Sequence, residues 1–244
     1  MAQKKTPSPL DAPEFARPFT TVDVVIFTVR QQALQVLLMQ RPDGAQEPFP
    51  GRWALPGGFV DVALDEDLQA CARRKLAGKT GVDSPYLEQL GSWGSARRDP
   101  RGWSATHVYF ALIPGQALTL EPGGNAADVA WFGVDALPDE GRLAFDHGDI
   151  LQAALERLRG KVEYTSLPAF LLAEPFTLPQ LQQAYEIVLG RPVDKSGFRT
   201  RMLSAGFLVE AGHVEGGTRR PAMGYRLADR RAPVVFPRTF SPRD

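Results

Sequence analysis

The sequence predicts two domains: an α/β sandwich built on a mixed sheet, then a smaller unit of paired helices followed by a basic hairpin. Three observations carry this. Runs rich in β-branched residues with nearly alternating apolar positions, Thr20 to Val29 and Ala33 to Arg41, precede a helical stretch, and Tyr86 to Ser95 and Ser104 to Ile113 follow it. Ile150 to Arg159 then sets Ile150, Leu151, Ala154, Leu155 and Leu158 on one helical face. Beyond Lys161, two helical runs joined by the connection Arg191 to Asp194 lead into two strand-like runs around a glycine-rich loop. A chain of 244 residues is long enough for two cores.

Taken in order, Met1 to Pro18 is polar, proline-bearing and without the apolar run of a signal peptide, so it is expected to be a mobile tail. No later stretch offers eighteen apolar residues, which predicts a soluble protein. Arg30 to Gln32 reads as a hairpin connection, and Pro42 to Arg52 as an exposed loop. The first helix is expected to begin near Asp65, where Asp65, Glu66 and Asp67 suit a helix N-terminus, and to stop within Gly78 to Gly81. Its single cysteine, Cys71, lies at helical spacing from Leu68, Ala72 and Leu76 and reads as a small core residue. One cysteine cannot form an internal disulfide, which suits a reducing, cytoplasmic setting. Ala96 to Gly102 is a charged turn, and Trp131, Phe132 and Val134 make a shorter strand.

The formal charge balances at 28 basic against 28 acidic residues, but unevenly. From Lys161 onward there are 12 Lys and Arg against 8 Asp and Glu, leaving 16 against 20 before it. A basic segment attached to an acidic one points to a nucleic-acid surface on the former. In LPQLQQAYEIVLG, the residues Leu178, Leu181, Ala184, Tyr185 and Val188 form a core stripe that Gly190 ends. The second helix, about Lys195 to Ser204, turns Phe198, Met202 and Leu203 inward and carries Lys195, Arg199 and Arg201 outward with Ser196 and Thr200 among them. Two helices on a short turn, followed by strands around a loop bearing Arg219 and Arg220, is the layout of a winged helix-turn-helix. In the major groove such a helix would offer Lys195, Ser196, Arg199 and Thr200 to bases and phosphates, while Arg219 and Arg220 would reach backbone or minor groove; with Arg201 these make the expected DNA-binding set.

Leu55 to Val82, LPGGFVDVALDEDLQACARRKLAGKTGV, closely resembles the Nudix box, G-x5-E-x7-R-E-U-x-E-E-x-G-U with U aliphatic. Gly58, Glu66, Arg74, Leu76, Gly81 and Val82 fall on matching positions, with two extra residues between Gly58 and Glu66. The resemblance implies that Glu66 and Arg74 brace loop and helix. The carboxylates that hold magnesium in the family fall on Lys75, Gly78 and Lys79. Two ammoniums and a glycine cannot supply the hard oxygen ligands that magnesium needs, so neither catalytic residues nor a metal or cofactor are expected. Lys75 and Lys79 share a helix face, either to meet a phosphate as point charges or simply as solvated lysines. Arg41 and Arg52 flank the entry to the box, where family members hold the nucleotide. Phe145, Asp146 and His147 form a tripeptide shared with one group of Nudix-containing regulators; His147 either lines the pocket or caps the helix. The expected ligand-binding set is Arg41, Arg52, Phe59, Arg74, Lys75, Lys79 and His147.

FTLPQLQQAYEIVLGRPVDKSGFR and GGTRRPAMGYRL extend the resemblance over almost the whole chain. Together with the box they resemble the NrtR family, Nudix-related transcriptional regulators of bacterial NAD metabolism. The resemblance implies a homodimeric repressor that binds a palindromic operator in double-stranded DNA and releases it on binding a small-molecule effector, usually ADP-ribose and in related branches another ligand such as a sugar, with no membrane partner. The expected organisation is a tail over 1–18, a Nudix-like effector-binding domain over 19–160, a winged helix-turn-helix over 161–232 and a C-terminal tail over 233–244. The alternative is an active hydrolase of ADP-ribose or a related nucleoside diphosphate, with Asp61 or Asp65 of the lengthened loop recruiting a metal.

Overall fold

The computed structural model describes residues 17–81, 86–115, 127–214 and 221–240. The expected wing arginines, Arg219 and Arg220, lie outside them, as do Val82 and most of the expected N-terminal tail.

β1 (Phe19–Arg30) and β2 (Ala33–Gln40) form the predicted hairpin, joined through Gln31 and Gln32 at positive φ. β1 also pairs in parallel with β6 (Ser104–Leu112), which lies antiparallel to β5 (Tyr86–Ser95). Two short strands that the sequence reading missed, β3 (Trp53–Ala54) and β4 (Gly57–Phe59), add to β2 and β1, and β7 (Asp128–Gly133) covers the other edge of β2. The result is a seven-stranded mixed sheet.

Alternation along β1 supplies both faces of this sheet. Val22, Val24 and Ile26 pack with Cys71, Ala72 and Leu76 of α1 (Leu68–Thr80), so Cys71 is a core residue as expected. Val25 and Phe27 pack instead with Ile150, Leu151, Ala154 and Leu158 of α2 (His147–Val162). Helix α1 starts three residues later than expected. Asp67 is its N-cap and accepts from the Ala70 N–H, because Asp65 is committed elsewhere.

Helix α2 runs through the expected boundary between 160 and 161 and ends against the smaller domain. There, β8 (Phe176–Thr177), β9 (Leu208–Val214) and β10 (Ala222–Leu227) form a three-stranded sheet beside α3 (Leu178–Leu189) and α4 (Lys195–Ser204). Thr177 and Gln180 close a capping box at the start of α3, and Gly190 ends it in the left-handed region. Leu178, Leu181, Ala184, Tyr185 and Val188 are all buried, as the stripe predicted.

Two details differ from expectation. Leu203 is exposed at 43 %, since Phe198 and Met202 already fill the inward face of α4. Residues 233–240, expected to be part of a tail, fold back as a strap. Val234 bonds with Ser166, Phe236 N–H donates to Tyr164 O, Phe240 N–H donates to Glu163 O, and Phe236 is buried. The apolar residues of this segment explain its return, because Phe236 and Phe240 complete an aromatic cluster with Tyr185, Phe198 and Phe207. Among the described residues no helix is long and apolar enough to cross a membrane.

Candidate functional site: a cationic cavity and an exposed helix

A cavity of about 900 Å³ opens where β1, β3, β4, the start of α2 and the outer face of α1 converge. Its size is that of a site for a small organic ligand. Arg41, Phe59, Arg74, Lys75, Lys79 and His147 line it, as does Gly78. Arg52 is not among the lining residues; its guanidinium lies 5.4 Å from the Phe49 ring centre and 3.5 Å from Leu143 O.

Two glycines shape the rim. A Cβ on Gly57 would fall 2.0 Å from Asp23 Oδ1, and Gly58 has φ +138 with its Cβ position 3.0 Å from Lys75 Nζ. Both sites exclude larger residues, so the backbone here lies directly against Asp23 and the Lys75 ammonium.

The floor is a polar network on a hydrophobic core. His147, buried as the first residue of α2, accepts from the Leu55 N–H at Nδ1 over 2.9 Å, leaving Nε2–H toward Asp23 Oδ2 at 3.7 Å. His147 therefore lines the cavity and does not cap the helix, where Asp146 stands at the N-cap. Burial pushes the Asp23 carboxyl up, but His147, the Thr106 hydroxyl at 2.7 Å and the Arg98 charge together hold it below its ordinary value. Arg98, only 4 % exposed, grips Asp146 through Nε and Nη2. Phe145, at φ 55 in a region that disfavours side chains, sets its ring between the guanidiniums of Arg41 at 5.2 Å and Arg98 at 5.6 Å.

Arg98, Asp99, Arg101, Asp23 and Phe145 were absent from the expected set. Asp23 sits in an apolar strand where alternation alone predicts packing, and Arg98 to Arg101 read as an ordinary charged turn. A buried-run carboxylate such as Asp23 was the available signal. Six cations, Arg41, Arg74, Lys75, Lys79, Arg98 and Arg101, and four carboxylates line the cavity, and Arg74 and Arg98 are paired with Asp65 and Asp146 behind its wall. Three of those carboxylates are engaged: Glu47 by Arg41 at 2.7 Å, Asp99 by Arg101 at 2.8 Å, and Asp23 by the network above. Lys75 makes no ion pair among the described residues, and burial followed by the Lys75 charge lowers the Lys79 ammonium from its ordinary value. The cavity is thus suited to an anion.

Asp65, and not Glu66, braces the box. Arg74 donates from Nε and Nη2 to Asp65 at 2.7 and 2.6 Å, and the Asp61 N–H also bonds to Asp65, whereas Glu66 is exposed. The two extra residues let Asp65 reach back beneath the arginine. Asp65 is consequently unavailable to recruit a metal, and Asp61 Oδ1 accepts from the Ala63 N–H. Among the described residues no group of three or more His, Cys, Asp or Glu side chains is arranged to hold a metal ion. A magnesium site of the Nudix kind does not fit this donor set.

The Arg74 guanidinium holds the Asp65 carboxyl well below its ordinary 3.8, and burial followed by the Asp65 carboxylate pushes the Cys71 thiol up to about 11. A depressed carboxyl contributes stability above its unfolded pKa and loses it as pH falls below. Asp65→Asn should therefore show a smaller fall in melting temperature than the parent on going from about pH 5 to about pH 3. Equal falls would mean that the Asp65–Arg74 pair adds nothing to stability.

In the second domain α4 presents Lys195, Ser196, Arg199 and Thr200 to solvent, capped by Asp194. Arg201, expected to face outward, instead turns to the strap. Its guanidinium lies 4.0 Å from the Phe240 ring centre and donates to Thr239 O. The aromatic cluster draws the planar cation in.

Residues 18–154 match the NUDIX domain family, and residues 168–227 match the NrtR DNA-binding winged helix domain. An ADPR responsive transcriptional repressor NtrR of Acinetobacter baylyi is 46% identical over 226 residues, covering 92% of this chain and 88% of that protein. The chain belongs to the NrtR family. The crystal structure of Shewanella oneidensis NrtR complexed with a 27mer DNA superposes with TM-score 0.79 at 41% identity, over 90% of this chain and 98% of that one. The NUDIX domain of the same NrtR, cocrystallised with ADP ribose, superposes with TM-score 0.52 at 43% identity, over 61% of this chain and 93% of that one.

Proposed function

We propose that this NrtR-family protein is a transcriptional repressor of NAD metabolism genes that binds ADP-ribose in the cavity without hydrolysing it. The observation that carries the reading is the cavity itself, where Lys75, Gly78 and Lys79 stand in place of the family's metal carboxylates and set two ammoniums on one wall. A diphosphate needs two or more cations or amide donors, and Lys75 and Lys79 line the cavity together with Arg41 and Arg101, which are paired with Glu47 and Asp99. Phe59 and Phe145 supply apolar surface for the rest of a nucleotide. The DNA-binding complement on each protomer of a homodimer is Lys195, Ser196, Arg199 and Thr200 from α4, with Arg219 and Arg220 from the wing, reading a palindromic operator.

Coupling between the two sites has a physical route. His147 at the start of α2 lines the cavity, while Arg159 near its end donates to Val188 O of α3, and Lys161 pairs with Glu88 of β5. A ligand that favours one position of this helix biases the spacing of the two α4 helices in the dimer, which is what a palindrome measures.

The test is a thermal-shift titration with ADP-ribose in the absence of metal, repeated on the double variant Lys75→Gln, Lys79→Gln. The parent should melt at a higher temperature with ligand, by about 2.7 kcal/mol of stabilisation at a hundredfold excess over Kd. The double variant should fold normally and need at least about tenfold more ligand for the same shift, as for the loss of a charged contact. An unaltered response in the variant would take the lysines out of the site. Magnesium-dependent release of AMP from ADP-ribose would make the protein a hydrolase instead.

A further inference from the structure

We infer that Arg238 of the C-terminal strap clamps a backbone phosphate of the bound DNA in the groove between the strap and α4. The inference rests on the DNA-binding reading of α4 and adds to it a segment outside the helix-turn-helix and wing. The groove has a volume of about 610 Å³ and is lined on one side by Ser196, Thr200 and Ser204, on the other by Pro237 and Arg238, with Arg201 between them.

Positions 196, 200 and 204 recur every four residues, so they form one stripe along α4, beside the exposed Lys195 and Arg199. The hydroxyls of Ser196 and Thr200 make no intramolecular hydrogen bond among the described residues, while Ser204 is already bonded to Arg201 O. Asp194 is the groove's single carboxylate and is occupied as the cap of α4, accepting from the Gly197 N–H at 2.6 Å. On the cationic side, Arg201 has no ion pair among the described residues, and its Nη1 is buried with no hydrogen-bond partner. A half-buried guanidinium with one donor buried and unsatisfied carries a desolvation cost, and an anion seated above it offsets that cost. Arg238, exposed at the lip, adds a second positive charge close enough to disfavour the first.

With α4 in the major groove, the polyanion beside it is the DNA strand, and a phosphate of that strand is the anion this groove suits. Phe236 and Phe240 pin the strap on both sides of Arg238, so the side chain is held in place before the DNA arrives. A contact of this kind positions the protein and carries no base specificity.

The experiment uses the full-length protein, its Arg238→Gln and Arg238→Lys variants, and Arg199→Ala for comparison. The probes are a duplex selected by the parent from a randomised pool and a scrambled duplex of equal length, with binding followed by anisotropy from about 50 to 200 mM salt. Arg238→Gln should weaken binding to both duplexes by about 5- to 10-fold and lower the slope of log K against log salt by about 1 per protomer, with Arg238→Lys near the parent. Its melting temperature should be unchanged because the side chain is exposed. Parent-like affinity and slope in Arg238→Gln, beside a loss in Arg199→Ala, would overturn the clamp and leave DNA binding by α4 standing. A loss confined to the selected duplex would also overturn it, since a phosphate contact acts on every sequence. If no duplex is selected and all variants bind alike, the DNA-binding reading fails and the clamp with it.

Discussion

Arg98→Met should cost the protein about 3–5 kcal/mol of folding stability, the largest effect expected of any single change at the cavity. Arg98 contacts Asp146 from Nε at 3.0 Å and from Nη2 at 2.8 Å, Ser104 Oγ from Nη1 at 3.3 Å, and lies 3.9 Å from Asp23 Oδ2. Methionine keeps the apolar volume against Phe145 but removes the charge and every donor. Asp146 then loses its guanidinium partner, and Asp23, nearly inaccessible to water, keeps only the Thr106 hydroxyl and His147. Breaking a buried pair by removing one partner costs more than the pair contributes, because the stranded charge pays its desolvation in full. Against a total stability of about 5–15 kcal/mol the loss is large, and urea unfolding of the variant measures it. Adding Asp146→Asn should recover part of it, giving a coupling of about 1 kcal/mol or more. A loss below about 1 kcal/mol would mean that water reaches Asp146, which is 20% exposed, and satisfies it without the arginine.

Arg199→Ala should weaken binding to the selected duplex by about 1–3 kcal/mol per contact, a fall of about 5- to 150-fold, with little change on scrambled DNA. Arg199 is exposed on α4, one position before the groove-lining Thr200, and makes no ion pair among the described residues. Nothing in the fold depends on it, so the melting temperature serves as the control. In a dimer the loss occurs twice, and the effect on a palindrome should exceed that on a single half-site. An equal fall on both duplexes would assign Arg199 to the phosphates; no fall on either would remove α4 from the major groove. Arg199 and Arg238 thus separate by their signatures, one specific to sequence and the other to charge.

Much of this molecule was legible in its sequence. Alternation in Thr20 to Val29, the stripe of Ile150 to Leu158, and the order of α3, turn and α4 are near-neighbour properties, and each appears with bounds within a few residues of those expected. Lys75, Gly78 and Lys79 were placed together because a helix brings residues three and four apart onto one face. The brace was misassigned for the same reason it was easy to name. Matching the box gave Glu66, whereas the longer loop delivered Asp65 to Arg74.

The sequence by itself determined the elements, their buried faces, the helix face shared by Lys75, Gly78 and Lys79 and the exposed cationic face of α4, since these follow from spacing along the chain. Only the tertiary structure decided which distant groups meet. Arg98 finds Asp146 across 48 residues, Leu55 N–H finds His147 across 92, and the strap returns so that Arg191 can donate to Phe240 O across 49. No local preference encodes those meetings. They arise when sheet closure and core packing bring the ends of separate elements together, and the cavity and the strap groove exist only at those junctions.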